Sequence, residues 1–143
     1  MQTREPVVAG MFYHMDPDSL REQLSSFFSA VKTKPEYRFV ISPHAGYEYS
    51  GMTAAFAVAS LMPAKRFLIL GPNHSGRGAE FSVMGEGLWK TPLGDCRIDS
   101  ELAKELKKIK FLEEDALAHK SEHSIEVQLP FLQYRFGLSL IHI

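Results

Sequence analysis

Apolar positions in the first half of the chain follow two different periods. Leu20, Leu24, Phe27, Phe28 and Val31 recur at helical spacing and mark one buried face of a helix. Asp16 stands before it as a capping residue, Pro17 takes the first helical position, and Lys34-Pro35 ends it. Residues 37–42 (YRFVIS) are instead short and rich in aromatic and β-branched side chains, which predicts a strand. Residues 52–62 (MTAAFAVASLM) are apolar nearly all round, a helix whose alanines suit close packing on a sheet. Pro63 breaks it, and residues 66–71 (RFLILG) predict a second strand. Strand, helix, strand is a βαβ unit, for which a right-handed, parallel crossover is expected. The apolar run 67–70 suits a strand covered on both faces.

The pattern is less regular downstream. AEFSVMG reads as a strand, LWKTPLGDCRID as a loop or hairpin around Pro92-Leu93-Gly94-Asp95, and EED as an acidic turn. A helix begins near Asp99, with Leu102, Leu106 and Ile109 on one face and lysines opposite. Residues 121–136 form a further largely helical stretch, bent at Pro130. No repeat or low-complexity linker interrupts the chain. The expected class is α/β, a mostly parallel central sheet flanked by helices, in one domain or one piece of a domain.

Composition narrows the partners. The chain has 143 residues, 45% of them hydrophobic, and a formal charge of -1, values of an ordinary globular domain. Such a charge gives no reason to expect nucleic acid or an anionic membrane. No apolar stretch approaches the ~20 residues of a bilayer span, and the N-terminus lacks the apolar core of a signal peptide. Cys96 is the single cysteine and cannot form an internal disulfide, which fits a reducing cytoplasm. The oligomeric state is not constrained.

Two histidines then stand out. His44 in FVISPHAGYEYSG and His74 in LILGPNHSG each follow an apolar run and a proline. Loops at the carboxyl ends of parallel strands converge on ligands, so neighbouring strands ~4.8 Å apart would bring both imidazoles to one rim. There they could reach one metal ion at ~2.0–2.2 Å. Taken singly, a histidine after a strand is more often a hydrogen-bonded loop residue than a ligand. A third candidate is His123 in SEHSIEVQLPF, beside Glu122 and placed in the first turn of a helix. A histidine next to a carboxylate can act as general base or orient a ligand; a capped, solvated helix start is the plainer account. Cys96 is either a soft ligand or a small buried residue. Tyr47 and Tyr49 either line a pocket mouth or pack against the loop. His14, His119 and His142 have no comparable setting.

REPVVAGMFY, PHAGYEYSG, LGPNHSG, TPLGD and EHSIEVQLPFLQ, in this order, resemble the Memo-like family, also labelled AmmeMemoRadiSam system protein B. That family is similar in structure to class III extradiol dioxygenases of the LigB type. The resemblance implies an α/β fold in which His44 and His74 match two metal-site histidines, with iron (Fe2+) or copper as the metal. His123 matches a pocket residue, a group for proton transfer or substrate contact, with Glu122 beside it. The family's third ligand, a cysteine in the second half of its longer members, is absent from this chain. Residues 4–137 are expected to be the N-terminal portion of such a domain. The tail 138–143, LSLIHI, matches nothing in the family and is similar to translated sequencing adapter, so it is expected to be non-native. A half-domain leaves an open sheet edge and should be marginal in stability.

Three functions follow. One is a metal-dependent redox enzyme with iron on His44 and His74. Another is a non-catalytic module that uses the inherited pocket for a peptide, an anion or a metal. The third, a zinc hydrolase, has little support, because no HExxH or similar short-range ligand pair occurs.

Overall fold

The computed structural model describes residues 2–137 together with the backbone of residues 140 and 141. The first helix, α1 (Pro17–Ala30), forms as its pattern predicts: Asp16 accepts the Ser19 amide at 2.8 Å, and Leu20 and Leu24 are fully buried. The second, α2 (Tyr47–Ala59), starts five residues earlier than expected, directly behind Gly46. Its small residues face inward, and Gly51 lets the Phe27 ring of α1 approach the helix backbone.

The β-structure is α/β in class and largely parallel, but built from other segments than the predicted pair. A four-stranded sheet runs in the order β1 (Thr3–Arg4), β3 (Leu88–Thr91), β4 (Gly94–Ile98), β6 (Leu140–Ile141). Its β1–β3 and β4–β6 pairings are parallel, and β3–β4 is the hairpin expected around Pro92-Leu93-Gly94-Asp95. Trp89 and Cys96 face each other in that hairpin, both sealed from solvent. A separate parallel pair joins β2 (Ser82–Val83) to β5 (Glu113–Glu114), so the acidic stretch read as a turn includes a short strand.

Residues 37–42 and 66–71 enter no ladder among the described residues beyond single bridge positions at Tyr37 and Leu68. They keep a strand's alternation all the same. Val40, Phe67 and Ile69 touch the core, whereas Phe39, Ile41 and Leu70 are 86%, 97% and 85% exposed. The double-sided covering expected of 67–70 is therefore replaced by a one-sided one. A strand's apolar composition does not supply its neighbour, and pairing follows from what lies alongside.

The remaining helices are α3 (Ser100–Leu106), capped by Asp99 onto the Leu102 amide, and α4 (Leu129–Phe136). Pro130 does not bend a long helix. It sits in the first turn of α4, where its missing N–H costs nothing, and a short 3-10 turn (Glu126–Gln128) leads into it. Gly137 ends α4 in the left-handed conformation, φ 61°. The core lies where α1, α2 and α4 meet the hairpin, with Tyr47, Trp89, Leu129 and Phe131 at its centre. Of the tail expected to be foreign, residues 138, 139, 142 and 143 lie outside the described residues. No helix among those described is long and apolar enough to cross a membrane.

Candidate metal centre

Each histidine-bearing loop is fixed through the carbonyl of the proline that precedes it. Gln128 Nε2 donates to the Pro43 carbonyl at 2.8 Å, and Ser124 Oγ donates to the Pro72 carbonyl at 3.0 Å. Segment 122–128 therefore clamps both loops, and strand pairing between them is not what brings His44 and His74 together. The second loop is also braced within itself. Asn73 Oδ1 accepts from Ser75 Oγ and the Gly76 amide, and its Nδ2 donates to the Arg77 carbonyl. Gly76 turns this loop at φ +62°, a conformation that glycine adopts without steric cost.

The result is a cluster of three imidazoles. Ring centroids are 5.2 Å apart for His44–His74, 5.8 Å for His44–His123 and 4.7 Å for His74–His123. One ring nitrogen from each lies within 4.8 Å of the others. His123 is not in the first turn of a helix, as its sequence suggested. It precedes the turn, and Phe12 packs edge-on against its ring at 5.0 Å. His44 and His123 are half-buried and His74 is exposed, so the cluster opens to solvent.

Glu122 is buried beneath the cluster. Its Oε1 accepts from the amides of His123 and Ser124, both at 2.8 Å, and faces His74 Nδ1 at 2.9 Å. Its Oε2 accepts the His74 amide at 2.6 Å. Burial alone would raise this carboxyl's pKa, but the donors from His74 and Ser124 outweigh it and hold the group down at about 2. It is thus a fixed anion near neutral pH. His123 is shifted the opposite way from a salt-bridged histidine. Burial lowers its pKa, Glu122 opposes this, and repulsion from His74 and His44 adds to it. A neutral imidazole keeps a lone pair for a ligand.

A second layer supports the first, and sequence reasoning missed it. Glu126 is fully buried and accepts from the Val7 and Val8 amides and from the Tyr13 hydroxyl at 2.8 Å, while pairing with Arg4. Tyr13 is held far above its usual pKa by burial and by Glu126, so it remains a hydroxyl donor. Tyr47 is buried and donates to the Val127 carbonyl at 2.7 Å, Tyr49 is exposed, and both line a pocket together with Phe12 and Tyr13. The sequence signal was present in the charges of REPVVAGMFY and the second glutamate of EHSIE. Nothing local joined them.

Other candidates lie elsewhere. Cys96 is buried in β4 with its thiol pushed up to about 12 by burial, a poor ligand and a good core residue. His119 contacts Ser82 and the Trp89 ring, and His14 belongs to no cluster of three potential ligands among the described residues. His142 lies outside the described residues.

A family model described as Memo-like protein matches residues 4–142. A MEMO1 family protein of Caldivirga maquilingensis is 46% identical over 99% of this chain and 55% of its own length. One from Methanosarcina mazei is 47% identical over 95% of the chain and 51% of its own, and one from Pyrococcus abyssi is 47% identical over 92% and 47%. The chain spans about half the length of the curated relatives it matches. With the motifs, the fold and these identities in agreement, the chain belongs to the Memo-like family.

Proposed function

We propose that His44, His74 and His123 hold one metal ion, iron or copper, and that the protein is a cytoplasmic, metal-dependent redox protein of dioxygenase-like type. The observation that carries this reading is the convergence of three imidazole nitrogens, from three separate segments, within 4.8 Å. Nitrogens bound to one ion at ~2.1 Å lie ~3–4 Å apart, so small rotations of the three rings would close the set. Three neutral nitrogen donors suit a divalent first-row metal better than Ca2+ or Mg2+. Bound iron or copper would supply electron transfer and an open coordination position for a small molecule. The chain's own residues would provide the rest. Phe12 restricts the His123 ring on one side, segment 122–128 fixes the two loops, and the exposed side of His74 leaves an approach for a small-molecule or peptide ligand. Glu122, lying under the cluster with its oxygens already occupied by donors, is poorly placed to carry a proton to a substrate.

The test is an anaerobic Fe2+ titration with metal analysis on the wild type and on His44→Ala, His74→Ala and His123→Ala, each checked for folding. Stoichiometric binding, weakened in all three variants, is expected. Binding unchanged by any of the substitutions would remove that residue from the site, and unchanged binding in all three would end the metal reading. Oxygen-dependent cleavage of catechols would then separate an enzyme from a module that only holds its metal.

A further inference from the structure

The metal reading requires each imidazole to point a lone pair at the same place, and neutral histidine has two tautomers. We propose that Glu122 is a positioning residue that locks His74 in the tautomer with the proton on Nδ1, leaving Nε2 as the ligand atom; this rests on the metal site proposed above. The argument is a count of donors and acceptors. The two oxygens of Glu122 accept three backbone amides, so the group faces its neighbours as an acceptor, and His74 Nδ1, 2.9 Å from Oε1, must carry the proton. The same carboxylate grips the His74 backbone amide at 2.6 Å, which fixes the residue at two points and sets the direction of the ring. It also receives the amides of His123 and Ser124, tying the second histidine to the first through a single group. A carboxylate behind a metal-binding imidazole fixes its orientation and raises its basicity, and losing it typically costs ~10–100-fold in metal affinity.

Glutamine cannot replace this group. All four of its contacts are donors, so turning either oxygen into an NH2 sets donor against donor. The first measurement uses metal-free wild type. Long-range 15N–1H correlation of the histidine rings at pH 8 is expected to place the His74 ring proton on Nδ1, with Nε2 unprotonated. The second compares Co2+ binding, followed by its visible absorption, in the wild type and Glu122→Gln. At least ~10-fold weaker binding and loss of the tautomer bias are expected in the variant. An Nε2-protonated His74 in the wild type would overturn the proposal, as would a folded Glu122→Gln that binds Co2+ like the wild type. If Glu122→Gln fails to fold, the wild-type tautomer alone decides. Absence of Co2+ binding by the wild type would strike the metal reading instead, and the tautomer would still decide whether Glu122 sets the state of His74.

Discussion

Arg4 and Glu126, from opposite ends of the described chain, form an ion pair at 2.8 Å with side-chain exposures of 5% and 0%. The Arg4 guanidinium also donates to the carbonyls of His119 and Glu122 and lies 3.9 Å over the Trp89 ring. Every member of this arrangement is desolvated, so its parts cannot be removed singly without leaving a bare charge. Arg4→Met should destabilise the protein by ~3–5 kcal/mol, because Glu126 is left buried without its cation. Arg4→Met with Glu126→Gln should recover part of the loss. Urea denaturation of the three proteins checks this, and a cost below ~1 kcal/mol for Arg4→Met would show the pair to be energetically idle.

Gly71 is a test of the clamp between the loops. A Cβ there would lie 2.5 Å from Ser124 Oγ and 2.9 Å from Ile125, so the His74 loop and segment 122–128 would have to separate. Gly71→Ala should cost ~1–3 kcal/mol as overpacking and weaken metal binding at the same time. Gly76→Ala is the comparison. It meets open space at φ +62°, so it should carry only the backbone strain of ~1–2 kcal/mol. Equal metal affinity in Gly71→Ala and the wild type would count against the clamp.

His119 gives stability a pH dependence. Burial lowers its pKa to about 4, with the Arg4 charge adding to the effect and Asp115 and Glu122 opposing it. The folded form therefore favours the neutral ring, while the unfolded chain takes up the proton near pH ~6.5. Between those values the unfolded state binds more protons, so stability falls as pH drops from ~6.5 to about 4. The loss from this group is on the order of 3 kcal/mol. Glu122 adds a separate loss at lower pH, as its carboxyl is protonated between 4.5 and about 2. Urea midpoints across the pH range should show a flatter profile in His119→Gln above pH ~4; an identical slope would exclude His119 as the source.

Gly51→Ala sets two effects against each other. Alanine is favoured over glycine in a helix by ~1 kcal/mol, but its Cβ would lie 2.5 Å from the Phe27 ring. Overpacking of ~1–3 kcal/mol should win, lowering the melting temperature. Trimming the ring in Gly51→Ala/Phe27→Leu should restore it. A stabilised single variant would mean that α1 moves aside freely.

Local signals were read well where a local rule makes the structure. The cap at Asp16, the buried stripe of Leu20 and Leu24, the hairpin turn at Pro92-Leu93 and the helix start at Asp99 all depend on residues a few positions apart. Residues 37–42 and 66–71 have the composition of strands, but a ladder needs a neighbour that composition does not name. The convergence of His44 and His74 was anticipated for a reason that does not hold, since the prolines' carbonyls are held by Gln128 and Ser124 and the runs do not pair with each other. Glu126 and Arg4 were invisible because a charged residue in sequence reads as solvated, and only the fold shows them sealed together.

The burial of Glu126 against Arg4, Val7, Val8 and Tyr13 also constrains the order of assembly. These contacts close loops of more than a hundred residues, 119 positions for Val7 and 113 for Tyr13. Loop closure on that scale is a late, entropically costly event, and topologies that depend on it fold slowly. Segment 122–128, which holds Glu122 and His123 and carries both proline anchors, docks through the same contacts. The histidine cluster is therefore finished only when residues 4–13 have docked on segment 122–128, so occupancy of the site would report that long-range docking rather than formation of the loops that carry it.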